Sequence, residues 1–309
     1  MPVAILGVMS DAWVGKISAL AAAFTWSLAL ILFKRSGETL HPLALNAFKN
    51  TVGLLLLMAT LVFAGEDLTV LVTAPPGDLC ILILSGIVGI AVADTLLFHS
   101  LNLLGVGLLT IAECAYAPSV VAVAWFFLGE RITAYQYIGG ALILLAVLLC
   151  AGHNPPMGRT RGQVLGGMAL GLTAIMLMAI GIVVAKPVLE DSPLILASTL
   201  RLAGGSLILI VWMAVRPDRA RYFAVFRPTR VWRICIPASV LGTYLAMIFW
   251  VAGFKYGQAG VAAVLNQTST ILALVFATLI LKEPFTKRKA TAAIVALAGV
   301  IIITAYSGG

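Results

Sequence analysis

Ten stretches of mainly apolar residues follow one another along the chain, each close to the roughly 20 residues that a helix needs to cross a bilayer. They lie near 14–33, 43–63, 79–100, 106–128, 134–151, 163–185, 194–214, 233–254, 259–281 and 289–306. The strands of a membrane barrel would be about 10 residues long and would alternate in polarity. These runs are longer and do not alternate. The fold expected is therefore an all-α integral membrane protein of ten transmembrane helices. A soluble protein has roughly a quarter of its residues charged, and here only 10% are, against 61% hydrophobic, with a mean hydropathy of +1.09.

The net charge of +8 does not make this a nucleic-acid binder. The basic residues lie in the short connections between apolar runs, where membrane proteins carry Lys and Arg. The longest connection lies near 215–232 and reads "RPDRARYFAVFRPTRVWR" over 216–233, with Arg216 and then five arginines from Arg219 to Arg233. Ten spans place both termini on one side. The basic connections 1–2, 5–6, 7–8 and 9–10 share the other side, which the positive-inside rule assigns to the cytoplasm. The four cysteines are scattered without a CxxC, so neither a disulfide framework nor a zinc site is indicated. "MPVAILGVMS" has no basic n-region and is not read as a removable signal peptide.

The second half of the chain repeats the first. At an offset of 153, "LGERIT" (128–133) falls on "LKEPFT" (281–286), Gly89 on Gly242, and Gly107 on Gly260. At an offset of 152, Lys34 falls on Lys186 and Lys49 on Arg201. Each half holds five spans, and five is odd, so the halves enter the membrane from opposite sides. Such inverted repeats underlie many alternating-access transporters, with the site near the midplane between the halves.

These features resemble a known family. Ten spans in two five-span halves, "FFLGERIT" and "LILKEPFT" closing the fourth and ninth spans, and "LNAFKNTVGLLLL" and "LASTLRLAGGSLIL" as second and seventh spans are similar to the drug/metabolite transporter superfamily, EamA type. The resemblance covers about 14–306, as one repeat over 14–151 and another over 163–306. It implies secondary transport without ATP, often export, and leaves the substrate open among amino acids, other metabolites and drugs. Two positions depart from the pattern. Lys49 stands where Arg is more usual, and the sixth span, "TAIMLMAIGIVVAK", lacks the counterpart of Trp26 in "AAFTWSLALILFK".

Polar residues inside the spans are the site candidates. Glu113 sits seven residues into the fourth span, about 10 Å from its end at 1.5 Å per residue. A charge at a helix centre costs about 2.5–3.5 kcal/mol on insertion scales, and such residues face a bundle interior or a wet cavity and mark pathways. The bland alternative is a protonated carboxyl shared between helices. The repeat partner of Glu113 is Asn266, which opens the polar island "NQTST", and Tyr116 falls on Ser269. Asp94 in the third span is the alternative proton carrier, with His99 nearer the span end. Lys49 and Arg201 lie seven or eight residues into their spans. Either they snorkel to the surface or they attract an anionic substrate group, and Asn46 shares the Lys49 face. Gln267, Trp26 and Tyr244 complete the expected cavity wall.

The expectation is a secondary transporter, exporting a small polar metabolite such as an amino acid, with coupling protons carried by Glu113 or, failing it, Asp94. Expected partners are a small-molecule substrate, protons and membrane lipid, with monomer and homodimer both open and the cell (inner) membrane as location. No cofactor or metal is expected: "WVGKI" lacks the first Gly and the final Ser/Thr of a phosphate loop, and the three histidines show no metal spacing. The rivals are efflux of lipophilic cations, an intramembrane enzyme on lipid-linked substrates, and a non-transporting assembly subunit. "NQT" at 266–268 matches a glycosylation acceptor but lies at span depth.

Overall fold

The structure, a computed structural model, describes residues 11–66, 69, 73–128, 134–151, 159–256 and 265–305. These form an all-helical membrane bundle of two inverted five-helix repeats. The first repeat contributes Asp11–Ser36, Pro42–Ala64, Pro76–Leu104, a broken fourth span of Val106–Glu113 and Tyr116–Leu128, and Ala134–Ala151. The second contributes Arg161–Asp191, Leu194–Ala214, Trp232–Tyr256, Thr268–Ile280 and Lys287–Ala305. Large apolar side chains such as Leu55, Phe63, Phe126 and Leu279 face outward, as they do where the surrounding solvent is lipid.

The helix ends follow local chemistry. His41 caps the second span, its Nδ1 accepting from the Leu43 N–H at 3.2 Å, and Pro42 occupies the first turn, where no donor is lost. Thr160 and Gln163 form a reciprocal capping box at the start of the sixth span. The expected end of that span at 185, ahead of Pro187, is too early. The helix runs through Pro187 to Asp191, because one missing N–H bond is tolerated where neighbouring helices hold the backbone.

Two pairs of departures from regular α geometry obey the repeat. Residues Ile87–Val92 of the third span and Val240–Leu245 of the eighth are π-helical, and the two segments are 153 positions apart. In each, the next N–H reaches one residue further back than in an α-helix: Ala93 to Val88 O, and Ala246 to Leu241 O. Such single-turn π segments are frequently found at functional sites. The fourth span breaks at Cys114–Ala115, where Cys114 N–H and Ala115 N–H bond to Ile111 O and Ala112 O in the tighter i−3 pattern. Pro118 explains this, since it has no N–H for the Cys114 carbonyl and its ring crowds that oxygen. The ninth span has a turn at Gln267, one residue after Asn266. There Thr268 Oγ1 donates to Leu265 O at 2.6 Å and competes with the backbone ladder.

The two repeats are tied together across their ends. The Glu283 carboxylate, in the connection after the ninth span, accepts from Val106 N–H at 2.9 Å and Gly107 N–H at 3.0 Å and so caps the fourth span. Glu66 does the same for the seventh span, accepting from Ile195 N–H at 3.2 Å and Leu196 N–H at 3.0 Å. The matching "ERIT" positions Glu130 and Thr133 lie outside the described residues. Gly86 lets the third span cross the seventh at backbone distance, because a methyl there would overlap the Arg201 carbonyl. Small residues permit such close crossings in membranes.

Candidate functional site

A cavity of about 210 Å³ lies between the repeats. Among the described residues, side chains or backbone from eight of the ten spans line it, and the fifth and tenth spans contribute none. Both π segments open onto it, through Gly89 and Gly242, and so do both helix breaks, through Glu113 and Asn266. Discontinuous helices near mid-depth are the usual frame of a transporter site, because their broken ends leave polar backbone facing the ligand.

Four charged side chains line the cavity, and they are not equivalent. Lys49 and Asp94 neutralise each other, with Nζ to Oδ2 at 2.6 Å and the two residues 3% and 6% exposed. Lys49 also donates to Asn50 Oδ1 at 2.9 Å and lies over the Phe98 ring at 5.7 Å. Its charge is spent inside the protein. Arg201 is equally buried, 4% exposed, yet its Nη1 reaches only the Gly181 carbonyl at 3.5 Å. Among the described residues no carboxylate pairs with Arg201 and no cation pairs with Glu113. The Trp26 indole N–H lies against the Glu113 carboxyl.

The repeat accounts for this imbalance. Arg201 is the counterpart of Lys49, but the counterpart of Asp94 is Met247, which also lines the cavity. The second repeat keeps the cation and lacks its counter-ion. Glu113 likewise has the neutral Asn266 as counterpart. One wall of the cavity thus offers an uncompensated acid and another an uncompensated base. Three further polar atoms in the lining are buried without a partner: Tyr116 OH, Thr243 Oγ1 and Asn266 Nδ2. Buried polar atoms are normally paired, so an orphan facing a cavity is the signature of a group that a ligand or water completes.

Eight of the ten residues singled out from the sequence come together here: Trp26, Lys49, Asp94, Glu113, Tyr116, Arg201, Asn266 and Gln267. Two stand apart from the lining. The Asn46 amide donates to Ile90 O and Ala91 O, both at 3.0 Å, and to Thr95 Oγ1 at 2.9 Å. It is held by two carbonyls within the π turn. Tyr244 shares a hydrogen bond with Thr60 at 2.6 Å, away from the cavity. Lys49 does not snorkel, because Asp94 holds it. His99 packs edge-on against His41, ring centres 5.3 Å apart. Lys255 donates to Glu190 O and Ser192 O at the end of the eighth span.

Sequence reasoning missed several lining residues. Met178 is the repeat counterpart of Trp26, and Met247 that of Asp94. Sliding the halves over each other at those positions would have found both. Thr243 and Trp250 also line the cavity. Thr243 is the counterpart of Ile90 and carried no polar partner to flag it, and Trp250 is one of many apolar residues in its span.

Comparison with known proteins agrees with this architecture. No curated protein matches the chain. A solved structure described only as "Crystal structure of protein" superposes with a TM-score of 0.69 at 17% identity, covering 95% of this chain and 97% of its own. At that identity the likeness speaks to fold alone. The model of the EamA-like transporter family matches residues 13–152 and again 165–305. With two successive copies of one family model together spanning nearly the whole chain, the protein belongs to the EamA-like transporters of the drug/metabolite transporter superfamily and is a multi-pass membrane transporter of a small-molecule substrate.

Proposed function

We propose that the protein is a secondary active transporter that exports a small zwitterionic metabolite, an amino acid or a close relative, across the cell (inner) membrane. Alternating access operates between the repeats 14–151 and 163–306, and protons that titrate Glu113 drive it. The observation that carries this reading is the pair of uncompensated opposite charges, Glu113 and Arg201, in one cavity. Arg201 faces the substrate carboxylate, with a planar fork of donors suited to that group. Glu113 faces the ammonium and exchanges it for a proton. Tyr116, Thr243 and Asn266 supply the remaining hydrogen bonds. The cavity volume of about 210 Å³ is below the roughly 300–1,000 Å³ of pockets that take drug-sized ligands, which favours a small metabolite.

Lipophilic-cation efflux is the second reading, supported by Glu113 sharing the cavity with the rings of Trp26, Tyr116 and Trp250. Arg201 weighs against it, since a buried unpaired cation repels another cation strongly at low local dielectric. Transport in sealed proteoliposomes tests both. A labelled amino acid should move with an imposed pH gradient, and Arg201→Ala should abolish that movement. Movement of a quaternary ammonium dye, unchanged or faster in Arg201→Ala, would select the cation reading instead.

A further inference from the structure

The connection between the seventh and eighth spans is a folded arm. Together with the first turn of the eighth span, the stretch from Arg216 to Arg233 holds six arginines and one acid, Asp218. It contains a helical turn at Arg219–Phe223 and a 3-10 turn at Ala224–Phe226. Its apolar residues are turned inward. Tyr222 packs edge-on against His41 with ring centres 5.0 Å apart, and Phe226 and Trp232 pack on Phe48 of the second span at 6.1 and 5.3 Å. The Trp232 indole N–H donates to Val225 O at 2.9 Å.

With its large apolar side chains fastened to the bundle, the arm presents mainly arginines, with small residues such as Ala220 and Pro228 between them, to the outside. Arg216, Arg219, Arg221, Arg227, Arg230 and Arg233 are all exposed. Among the described residues none of them forms an ion pair with a carboxylate. The arm starts where the seventh span ends, with Arg216 over the Trp212 ring at 5.9 Å, and aromatic rings mark the boundary between hydrocarbon and headgroups. The arm therefore begins at the headgroup boundary and carries six guanidinium groups on from there. The guanidinium fork matches the two free oxygens of a phosphate diester. A soluble protein partner would need apolar contact area, and the arm has already buried its own.

We propose that the arm is a binding site for anionic phospholipid headgroups in the leaflet it borders. Near a membrane surface each basic residue strengthens association with anionic lipid by roughly fivefold. Such binding is distinct from the setting of orientation during insertion, because it takes place on the mature, folded protein.

The test uses the purified full-length chain in nanodiscs of phosphatidylcholine mixed with phosphatidylglycerol, followed by native mass spectrometry of the released protein. The wild type should retain phosphatidylglycerol in preference to phosphatidylcholine. The variant R219Q/R221Q/R227Q/R230Q should retain phosphatidylglycerol at least about tenfold less, with phosphatidylcholine unchanged. K16Q/K186Q, which removes two charges at the opposite end of the bundle, should behave as wild type. A salt titration of the wild type alone covers the case in which the quadruple variant does not fold, and phosphatidylglycerol retention should fall as ionic strength rises. Equal retention of the two lipids by the wild type, or equal phosphatidylglycerol retention by the quadruple variant, overturns the proposal. So does heparin binding that requires these arginines in detergent while the lipids show no preference, since it would point to a soluble polyanion.

Discussion

Lys49 Nζ lies 2.6 Å from Asp94 Oδ2, while the repeat counterpart of Lys49, Arg201, has Met247 where that carboxylate would stand. One ion pair is complete and its symmetry mate is half missing. A two-fold framework has thus been made asymmetric where a ligand would need it to be.

The pair itself should be structural. Removing one member of a buried pair leaves an uncompensated charge and costs about 3–5 kcal/mol, whereas replacing both by apolar residues is often neutral. Lys49→Met and Asp94→Leu alone should each unfold at clearly lower temperature in detergent, and the double variant should recover most of the loss. A double variant as unstable as the two single losses added would show that the pair does more than neutralise itself.

Glu113→Gln preserves shape and hydrogen bonding but cannot titrate. The variant should insert and fold as wild type, and proton-coupled transport should be lost. Exchange of substrate for substrate, measured without a pH gradient, should survive. Normal transport across pH in this variant would move the coupling role to Asp94.

The Glu283 clasp on the fourth span should be worth stability rather than selectivity. Glu283→Ala frees the Val106 and Gly107 N–H groups at a helix start, where a carboxylate is favoured by the helix dipole. Hydrogen bonds to a charged group contribute roughly 1.5–3 kcal/mol, and thermal unfolding should show a loss of that order with substrate preference unchanged. Gly105→Ala should also destabilise, because Gly105 has φ +76° and a methyl there would stand 2.8 Å from Glu283 Oε1.

His41 gives a pH dependence with a definite sign. Burial, and then the neighbouring His99, Arg221 and Arg216, hold its pKa below the ordinary value of 6.5, with Asp218 opposing. Its neutral Nδ1 caps the Leu43 N–H, and a protonated ring cannot accept that bond. A folded pKa below the unfolded one means that the stabilisation is fully present above about pH 6.5 and is lost as pH falls through the folded value. Unfolding temperature in detergent should therefore drop as pH is lowered below that point. His41→Asn, which keeps a capping acceptor without titrating, should flatten that part of the profile.

Orientation follows from the basic connections. A reporter active only in the cytoplasm should be silent when fused after Gly309 and active when inserted within 217–231. The reverse pattern would place the arginine arm outside.

The primary structure alone determined the membrane class, the ten spans and the two-fold repeat, because span length and the matched positions at offsets of 152 and 153 are written linearly in the chain. It also marked most of the cavity wall, since a charge or amide in lipid-length sequence is costly enough to stand out by itself. Which of those charges are free was decided only by tertiary structure. Lys49 and Asp94 are 45 positions apart, and nothing local says that they meet while Arg201 and Glu113 do not. The same holds for Asn46, which looked like a cavity residue but is drawn to the carbonyls of a π turn formed in another helix. The π segments themselves gave no residue signal, as "IVGIAV" and "VLGTYL" are ordinary spanning sequence. Their geometry depends on how the third and eighth spans cross the opposite repeat, and those contacts form only when both halves are folded together.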